Sequence, residues 1–445
     1  MFRVPSTARR LRRGAAQNLG MSIALAWALA SSPARPETLL DAWQAALASD
    51  ATLSAAHERV AAADALYSAA RAERLPAINA SSMVTRWDTA PAFDFSAAGV
   101  PAQLALFGGR NMTMSEASVS VPIYTGGRIR AGVDAAAAAV SARHADAAAL
   151  SLDVKLLVAE HYVAVLRAQS IRAVAASNAS SLAAHASDAE DMYRSGQVPR
   201  NDFLAAAVSL ADARQQELQA ESSLAVAEAA FNRSLGRNLD TPVTVEAVFP
   251  DLDPVLASSS VAELTSIALA NRRDVESLSA TATALTAQST ALRGATRPQL
   301  VVNGGYVSLD NDFLNRDDFW SVGVGMRWNL FDSGRTRNSA AALAHQAAAI
   351  ARERANLMSV VEMQVKQAWL NRNAARERIG ATEAAVEQAE ENLRVVRDRY
   401  RNGEGTNTDV LTGETLRSVS RGNFDRARFD ATLAELRLAR AVGVL

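Results

Sequence analysis

The polar residues that could do chemistry do not form an enzyme site. No histidine forms a metal-binding pair with a nearby carboxylate in a known pattern. The five histidines are His57, His144, His161, His185 and His345. Residues 310–318 are acidic but lack the glycine and the spacing of a calcium-binding loop. Because no nucleophile motif or phosphate-binding loop occurs either, the sequence predicts no enzyme, no metal site and no cofactor.

The remaining polar candidates lie at two matched turns. A Tyr-Arg-x-Gly sequence occupies residues 193–196 and again 400–403, and an Asp-x-Leu sequence follows each, beginning at Asp202 and Asp409. If several such carboxylates were brought close together, they would repel one another. That repulsion would raise their pKa and favour a bound cation. Alternatively, each aspartate simply stabilises the N-terminus of the next helix through the helix dipole. Both interpretations stay open.

The matched turns belong to a repeat that covers most of the chain. The offset between copies is 207 residues from about 121 to 236, and 222 upstream, where Pro76 matches Pro298. The first copy therefore has 15 extra residues between Pro76 and Val121. The predicted domains are a first repeat at 35–240, a linker at 241–260 and a second repeat at 261–445.

The N-terminal segment, residues 1–34, is predicted to be a secretory signal peptide rather than part of the fold. Five arginines precede a short apolar run at 21–30, and small residues follow it. Ten apolar residues are too few for a membrane anchor, which needs about 20. Without this segment, 41 of the 46 basic residues remain against 47 acidic ones, so nucleic acid is a poor partner. The lack of cysteine excludes disulfides and a lipid on an N-terminal cysteine.

Each repeat is predicted to contain a helix, two strands, a very long helix, a turn and a final helix. In the first repeat these are a helix at 37–73, strands at 78–87 and 113–124, and helices at 128–192 and 201–235. In the second they are a helix at 261–295, strands at 300–309 and 319–331, a long helix to Tyr400 and a helix from Thr408. A helix of this length is a rod of roughly 100 Å. Leu152, Leu156, Ala159, Val163 and Leu166 follow coiled-coil spacing.

The strands have the pattern of membrane-spanning strands. From Ser321 to Leu330, apolar and polar residues alternate for ten residues, the length of a tilted transmembrane β-strand. The alternative, a half-buried strand of a soluble sheet, looks the same over one segment. Four strands cannot close a barrel, and open edges are not tolerated in lipid, so if these strands span the membrane several chains must share one barrel. A dimer would supply eight strands and a trimer twelve, and twelve would leave room for a lumen.

The paired motifs resemble those of the TolC-type outer-membrane factors. Residues 121–128 and 328–335 look like the strand-to-helix turns of that family, and the two Tyr-Arg-x-Gly sequences look like the ends of its helical hairpins. The turn residues concerned are Gly126, Gly127, Arg128, Ser333, Gly334 and Arg335. The resemblance covers roughly residues 37–445, both repeats included.

The resemblance implies a mixed, mainly α fold with two tandem repeats, each with two transmembrane β-strands and long coiled-coil helices. It implies a homotrimer with a 12-stranded barrel in outer-membrane lipid and an α-helical barrel in the periplasm. Such a protein is the exit duct of a tripartite efflux pump or a type I secretion system. Its partners are a periplasmic adaptor and an inner-membrane transporter. The open alternatives are a periplasmic coiled-coil adaptor and a soluble structural coiled-coil protein, and the alternating strands count against both.

The resemblance also assigns roles to the matched turns. Tyr400, Asp202 and Asp409 match the positions of the family's pore gate, and Tyr400 is expected to hydrogen-bond across neighbouring helices. Gly405 and Thr412 depart from the family pattern, since some members have an arginine and a second aspartate there, so we expect fewer polar links. The residues at the two hairpin ends are expected to dock the adaptor, the alternative being that they are simple connectors. They are Ser195, Gly196, Gln197, Asn402, Gly403 and Glu404.

Overall fold

The computed structural model describes residues 36–94, 99, 103–105, 110–251, 254, 256, 259–310 and 316–445. The predicted signal peptide, residues 1–34, lies outside these residues, and so does the middle of the acidic run at 310–318. The described part of the chain is mainly α-helical and contains one four-stranded sheet.

The two copies of the repeat give the same order of elements. The first contains α1 (Leu39–Ser49), α2 (Ala51–Ala72), β1 (Ala77–Arg86), β2 (Ala92–Asp94), β3 (Gln103–Ala105), β4 (Asn111–Tyr124), α3 (Arg128–Arg194) and α4 (Arg200–Ser234). The second contains α5 (Val261–Asn271), α6 (Arg273–Gly294), β5 (Gln299–Leu309), β6 (Asp318–Arg327), α7 (Arg335–Arg401) and α8 (Asn407–Val442). The short hairpin β2–β3 falls in the 15-residue insertion, for which the sequence predicts no strand.

The two long helices, α3 and α7, are 67 residues each. Their predicted ends are confirmed to within two residues, because proline is absent from both and glycine is nearly so. Of the coiled-coil positions, Ala159, Val163 and Leu166 are buried, whereas Leu152 and Leu156 are half-buried.

The prediction of one unbroken helix before each first strand is wrong. The first helix breaks at Asp50, which is extended and whose carboxylate accepts a hydrogen bond from the main-chain N–H of Leu53 at 2.8 Å. The second breaks at Arg272, where the guanidinium is buried and bonds Asp274 at 2.5 Å and Gln364 at 3.1 Å. The apolar pattern continues through both breaks, so periodicity alone does not reveal them. Strand β6 also ends earlier than expected, at Arg327 rather than Phe331.

The chain divides into two compact units. The first contains the described residues up to Ala48, residues 158–251 and residues 379–429, so both turns that follow the long helices lie in it. The second contains residues 49–157, 252–378 and 430–445, including the sheet. One core cluster in it joins residues of α5 to α8, among them Leu264, Val275, Val361, Val365 and Leu438.

The sheet has the order β1-β4-β5-β6, and every neighbouring pair is antiparallel. Strands β1 and β6 are therefore its edges, and each is ten residues long. Within the described residues, neither outer edge has a strand partner. The backbone N–H and C=O groups along those two edges are left without ladder hydrogen bonds.

The register gives the sheet one apolar and one polar face, because residues paired across antiparallel strands point to the same side. One row across the sheet is Val322, Gly304, Val119 and Ile78, and the next is Val324, Val302 and Val121. A row on the opposite face is Ser321, Gly305, Ser118 and Asn79. The described residues do not cover the apolar face, since Val322 is 87% exposed. Among the described helices, none is both long enough and apolar enough to cross a bilayer.

In the first unit, one buried tyrosine ties three segments together. The Tyr162 hydroxyl lies 2.7 Å from the main-chain oxygen of Glu37 and 2.5 Å from that of Glu246. The ring contacts Phe231 edge-on, with ring centres 5.8 Å apart. The Glu37 carboxylate in turn accepts two hydrogen bonds from Arg237, at 2.7 and 2.8 Å. The start of the fold is thereby fixed to α3 and to the segment that follows α4.

Tyr162→Phe should destabilise the first unit by about 1–2 kcal/mol, because the single hydroxyl proton shared between the two part-buried carbonyl oxygens is lost. Burial, above all, raises the pKa of Tyr162 to about 12 from the ordinary 10. A raised folded-state pKa means that the contribution of the neutral hydroxyl is complete below pH 10 and is lost as the pH rises to about 12. The parent should therefore lose more thermal stability over this interval than the variant, as measured by the loss of helical circular dichroism.

The matched control is Tyr67→Phe, because Tyr67 contacts the guanidinium of Arg71 through its ring, a contact that phenylalanine keeps. The control should behave like the parent at every pH. Equal alkaline losses in the parent and in Tyr162→Phe would contradict the assignment.

Candidate functional site

The turns after the two long helices have the same backbone. Gly196 and Gly403 have φ of 78° and 74°, and the N–H of each donates to the carbonyl of the tyrosine three residues earlier at 3.0 Å. A Cβ added at either glycine would meet nothing within 4 Å. Glycine is therefore required for its backbone conformation and not for lack of space.

The six residues predicted to dock an adaptor are all exposed. They are Ser195, Gly196, Gln197, Asn402, Gly403 and Glu404. Both turns consequently present main-chain and small polar groups to solvent in this chain. The docking itself stays a prediction.

The side chains at the two turns differ although the backbone repeats. Tyr193 is 39% exposed and stacks on Phe203, with ring centres 6.0 Å apart and planes at 7°. Tyr400 is only 3% exposed and packs against the buried ring of His185, with centres 5.1 Å apart. The second turn is thus packed into the unit, whereas the first is more open.

The hydroxyl of Tyr400 has no hydrogen-bond partner among the described residues. The bond between helices that is expected of this group is not formed with any described residue of the chain. Burial, and then the nearby carboxylates of Asp202 and Asp188, raise the pKa of Tyr400. The group is therefore a neutral donor at physiological pH, and it lies close to one of the predicted gate aspartates.

Asp409 closes a capping box at the start of α8. Its carboxylate accepts from the main-chain N–H of Thr406 at 3.1 Å and from the Thr406 hydroxyl at 2.7 Å. These bonds lower the pKa of Asp409. Asp41 makes the same box with Thr38 before α1. Asp202 is half-buried, and its carboxylate accepts from Asn201 at 2.9 Å. The helix-terminus interpretation accounts for the contacts of Asp409 within one chain, and the gate role of both aspartates stays a prediction.

A buried polar cluster beside the second turn is not predicted by the sequence. The side-chain oxygen of Asn407 lies 2.6 Å from Nε2 of His185, and its amide nitrogen donates to the main-chain oxygen of Asp202 at 3.2 Å. In the sequence His185 is one of five scattered histidines without a recognisable partner. Residues 185 and 407 are 222 apart in sequence, so no local spacing could have paired them.

A second buried group, Glu414, joins α8 to α3 and α7. It is 1% exposed, accepts from the Ser181 hydroxyl at 2.8 Å, and pairs with Arg397 and, at 3.3 Å, with Arg417. Two guanidinium groups offset the cost of burying one carboxylate. The sequence does not predict the role of Glu414 either, because Ser181 and Glu414 are 233 residues apart.

The residues of the strand-to-helix turns have structural roles. Gly126 has φ of 63°, and a Cβ there would lie 2.4 Å from the carbonyl oxygen of Gly294, so only glycine fits. Its counterpart Ser333 also has a positive φ, 57°. Arg128 pairs with Glu73 at 3.0 Å.

In both copies a glycine with positive φ precedes the arginine that begins the long helix. These two pairs of residues are Gly127-Arg128 and Gly334-Arg335. In the second copy, Asp332 accepts from the N–H groups of Gly334 and Thr336 at 3.1 and 3.0 Å and so caps α7. Across the described parts of the chain, no group of three or more histidine and carboxylate side chains is placed to hold a metal ion.

The chain matches the model of one protein family and the fold of several solved structures. The model of the family described as outer membrane efflux protein matches residues 42–237 and 264–444. The outer membrane efflux protein BepC of Brucella suis is 31% identical over 159 residues, which are 34% of this chain and about a third (34%) of that relative's length.

Three solved structures show the same fold at low sequence identity. The outer membrane protein VceC of Vibrio cholerae superposes with a TM-score of 0.78 at 19% identity, over 91% of this chain and 96% of its own. The CmeC outer membrane channel of Campylobacter jejuni gives 0.78 at 16% identity, over 91% and 85%. The MtrE outer membrane channel of Neisseria gonorrhoeae in its open state gives 0.72 at 18% identity, over 91% and 88%.

Proposed function

This chain belongs to the outer membrane efflux protein family, and we propose that it is the exit duct of a tripartite efflux pump or a type I secretion system. The observation that carries the proposal is the four-stranded sheet, with one uncovered apolar face and two edges without strand partners in the described chain. Neither a periplasmic adaptor nor a soluble coiled-coil protein needs such a sheet.

We propose a homotrimer that closes a barrel of twelve strands. The four strands alternate in direction from β1 to β6, so β6 of one copy can pair antiparallel with β1 of the next. Closure satisfies the edge groups, which would cost several kcal/mol each in hydrocarbon. The face that carries Val322 then meets outer-membrane lipid, and the face that carries Ser321 lines the lumen.

The orientation of the sheet is tested by a pair of adjacent variants. Val322→Arg should abolish the trimer, since an arginine facing lipid near the midplane costs about 2–4 kcal/mol in each of three subunits. Ser321→Arg should leave it intact, because that side chain would enter a water-filled lumen. Native mass measurement in detergent gives the oligomeric state. A parent that is only monomeric, or two variants that assemble equally well, would contradict the shared barrel.

The proposed periplasmic partners are an adaptor protein, which docks at the two exposed turns, and through it an inner-membrane transporter. Support comes from the exposure of both turns and from the open space around Gly196 and Gly403. A flat, accessible main chain at the end of a helical hairpin suits contact with a partner's helices.

Docking is tested by comparing Trp with Ala at Gly196 and Gly403. Both replacements bear the same strain at a positive φ, so only the added bulk of Trp separates them. Dye export by cells that depend on this duct should fall at least about tenfold with Trp and stay near the parent level with Ala, at equal trimer yield. If export is unchanged with Trp at both turns, the turns are not part of the adaptor interface.

We propose that Asp202, Tyr400 and Asp409 form the pore gate. In a trimer each residue occurs three times near the periplasmic end, and carboxylates gathered in a narrow lumen favour cations. Mutual repulsion would raise the pKa of these carboxylates. Within one chain, the hydrogen bonds from Thr406 have the opposite effect and lower the pKa of Asp409. The hydroxyl of Tyr400 is buried and has no partner in the described chain, so a bond to a neighbouring subunit would require the second turn to open.

Planar-bilayer recording tests the gate. Asp409→Ala should weaken cation selectivity and block by divalent ions. Asp41→Ala is the matched control, because it removes an identical capping box from α1, away from the turns. Tyr400→Phe should raise the open probability without changing thermal stability, because the hydroxyl has no partner in the described chain. Parental conductance in both gate variants would place the constriction elsewhere.

A further inference from the structure

We propose that arginines at the end of the sheet where the helices begin bind the phosphate groups of anionic phospholipids in the periplasmic leaflet of the outer membrane. The inference rests on the proposed function and deepens it, since it names the class of lipid that the duct recognises. All of the residues that carry it belong to the second unit.

The end of the sheet at which α2, α3, α6 and α7 join the strands is strongly basic. The segments that make these junctions are residues 71–78, 122–132, 293–300 and 325–337, and together they contain nine arginines and two carboxylates. Their net charge is +7, whereas that of the whole chain is −1. We call the nine arginines the basic belt, and they are Arg71, Arg74, Arg128, Arg130, Arg293, Arg297, Arg327, Arg335 and Arg337.

The opposite end of the sheet has the opposite charge. Residues 86–111 and 309–318 connect the strands there, and they contain three arginines and six aspartates. Arginine close to a membrane surface attracts anionic headgroups, and this attraction falls off within a Debye length, which is about 10 Å in ordinary buffers. The basic belt therefore acts on the leaflet at the helical end and not on the other one.

Most guanidinium groups of the basic belt are free to take a phosphate. Eight of the nine arginines are exposed. Arg128 is half-buried and pairs with Glu73, and Arg297 donates to the main-chain oxygen of Gly126 at 3.2 Å. Five others form no ion pair with any described residue, and they are Arg74, Arg130, Arg293, Arg327 and Arg337. An unpaired guanidinium can bind a phosphate through two parallel hydrogen bonds.

Four arginines of the basic belt do not stabilise the helices that carry them. Arg128 and Arg130 lie in the first turn of α3, and Arg335 and Arg337 lie in the first turn of α7, and neither turn contains an acidic residue. Positive charge at a helix N-terminus opposes the helix dipole. A bound phosphate would offset this cost, because it neutralises the guanidinium groups and itself interacts favourably with a helix N-terminus.

The basic belt begins where the apolar face of the sheet ends. At one edge, Arg74 is followed by the exposed side chains of Leu75 and Ile78, and Ile78 belongs to the apolar face. At the other edge, the exposed Trp328 donates its indole N–H to the main-chain oxygen of Thr296 at 3.1 Å, directly before an arginine of the basic belt. Tryptophan is typical of the boundary between hydrocarbon and headgroups. The arginines beside it are therefore placed at the level of the lipid phosphates.

Closure of the proposed barrel would bring the two edges of the basic belt together. Strand β6 of one copy would pair antiparallel with β1 of the next, so the end of β6 and the start of β1 would meet at the helical end. Arg74 of one copy would then approach Arg293 of its neighbour. A phospholipid at this seam would meet positive charge from two subunits, and we expect the tightest binding there.

The experiment titrates trimers in non-ionic detergent with phosphatidylglycerol or with phosphatidylethanolamine and counts the bound lipids by native mass spectrometry. The test variants are Arg74→Gln and Arg293→Gln, which remove charge at the seam. Arg74→Lys and Arg293→Lys keep the charge. The matched control is Arg327→Gln, because Arg327 is equally exposed but pairs with Gln299 on the polar face of the sheet, away from lipid.

The parent should bind phosphatidylglycerol at least about fivefold more tightly than phosphatidylethanolamine, which has no net charge. Each Gln variant should weaken phosphatidylglycerol binding about fivefold, the contribution of one arginine near an anionic lipid surface. The Lys variants should keep most of the affinity, and Arg327→Gln should match the parent. Binding of phosphatidylethanolamine should be the same in every variant, whereas a merely structural role would change the binding of both lipids.

Parent trimers that bind the two lipids equally well would refute the inference and leave the proposed duct intact. An equal loss in Arg327→Gln would place the lipid in the lumen and refute it too. Displacement of phosphatidylglycerol by inorganic phosphate at the same concentration would show a site for free anions instead. If a Gln variant does not assemble, the two affinities of the parent still decide. A parent that forms no trimer in detergent would overturn the proposed function and, with it, the inference.

Discussion

The structure depends on the unpaired edges of its sheet. Four antiparallel strands leave one row of N–H and C=O groups open on β1 and another on β6, and a bilayer offers no water to satisfy them. The described residues leave the apolar face uncovered, which suits contact with lipid. In the proposed trimer, strands of neighbouring copies would satisfy both edges. In such an assembly the helices of every copy are gathered around one axis, which is how residues of a single chain come to occur as rings.

The two copies of the repeat share the backbone of their turns but differ in the side chains around them. The left-handed glycines at 196 and 403 and the left-handed residues at 126 and 333 recur because the turns of both copies need the same geometry. Within that frame, Tyr193 is open to solvent while Tyr400 is buried, and His185 has an exposed asparagine as its counterpart. The shared backbone accounts for the architecture. The unshared side chains make one hairpin differ from the other.

The sequence predicts what local rules determine. The ends of the long helices and the turns after them are predicted within two residues, because proline and glycine are scarce inside and frequent at the ends. The breaks at Asp50 and Arg272 are missed, since a capping carboxylate and a buried guanidinium interrupt the helices without interrupting the apolar pattern. The pairs formed by His185 with Asn407 and by Ser181 with Glu414 span 222 and 233 residues. Pairs of that kind depend on how the helices pack, which no spacing within one helix encodes.

The two interpretations of Asp409 are compatible once its hydrogen bonds are considered. The bonds from Thr406 lower the pKa of Asp409 and so keep its carboxylate charged, and they also hold it at the start of α8. A charge fixed in this way cannot turn aside when copies converge, so in the proposed trimer the cap itself would sustain repulsion among the three aspartates. In the proposed trimer, this repulsion would favour separation of the helix ends. A bound cation would reduce it by screening the carboxylates.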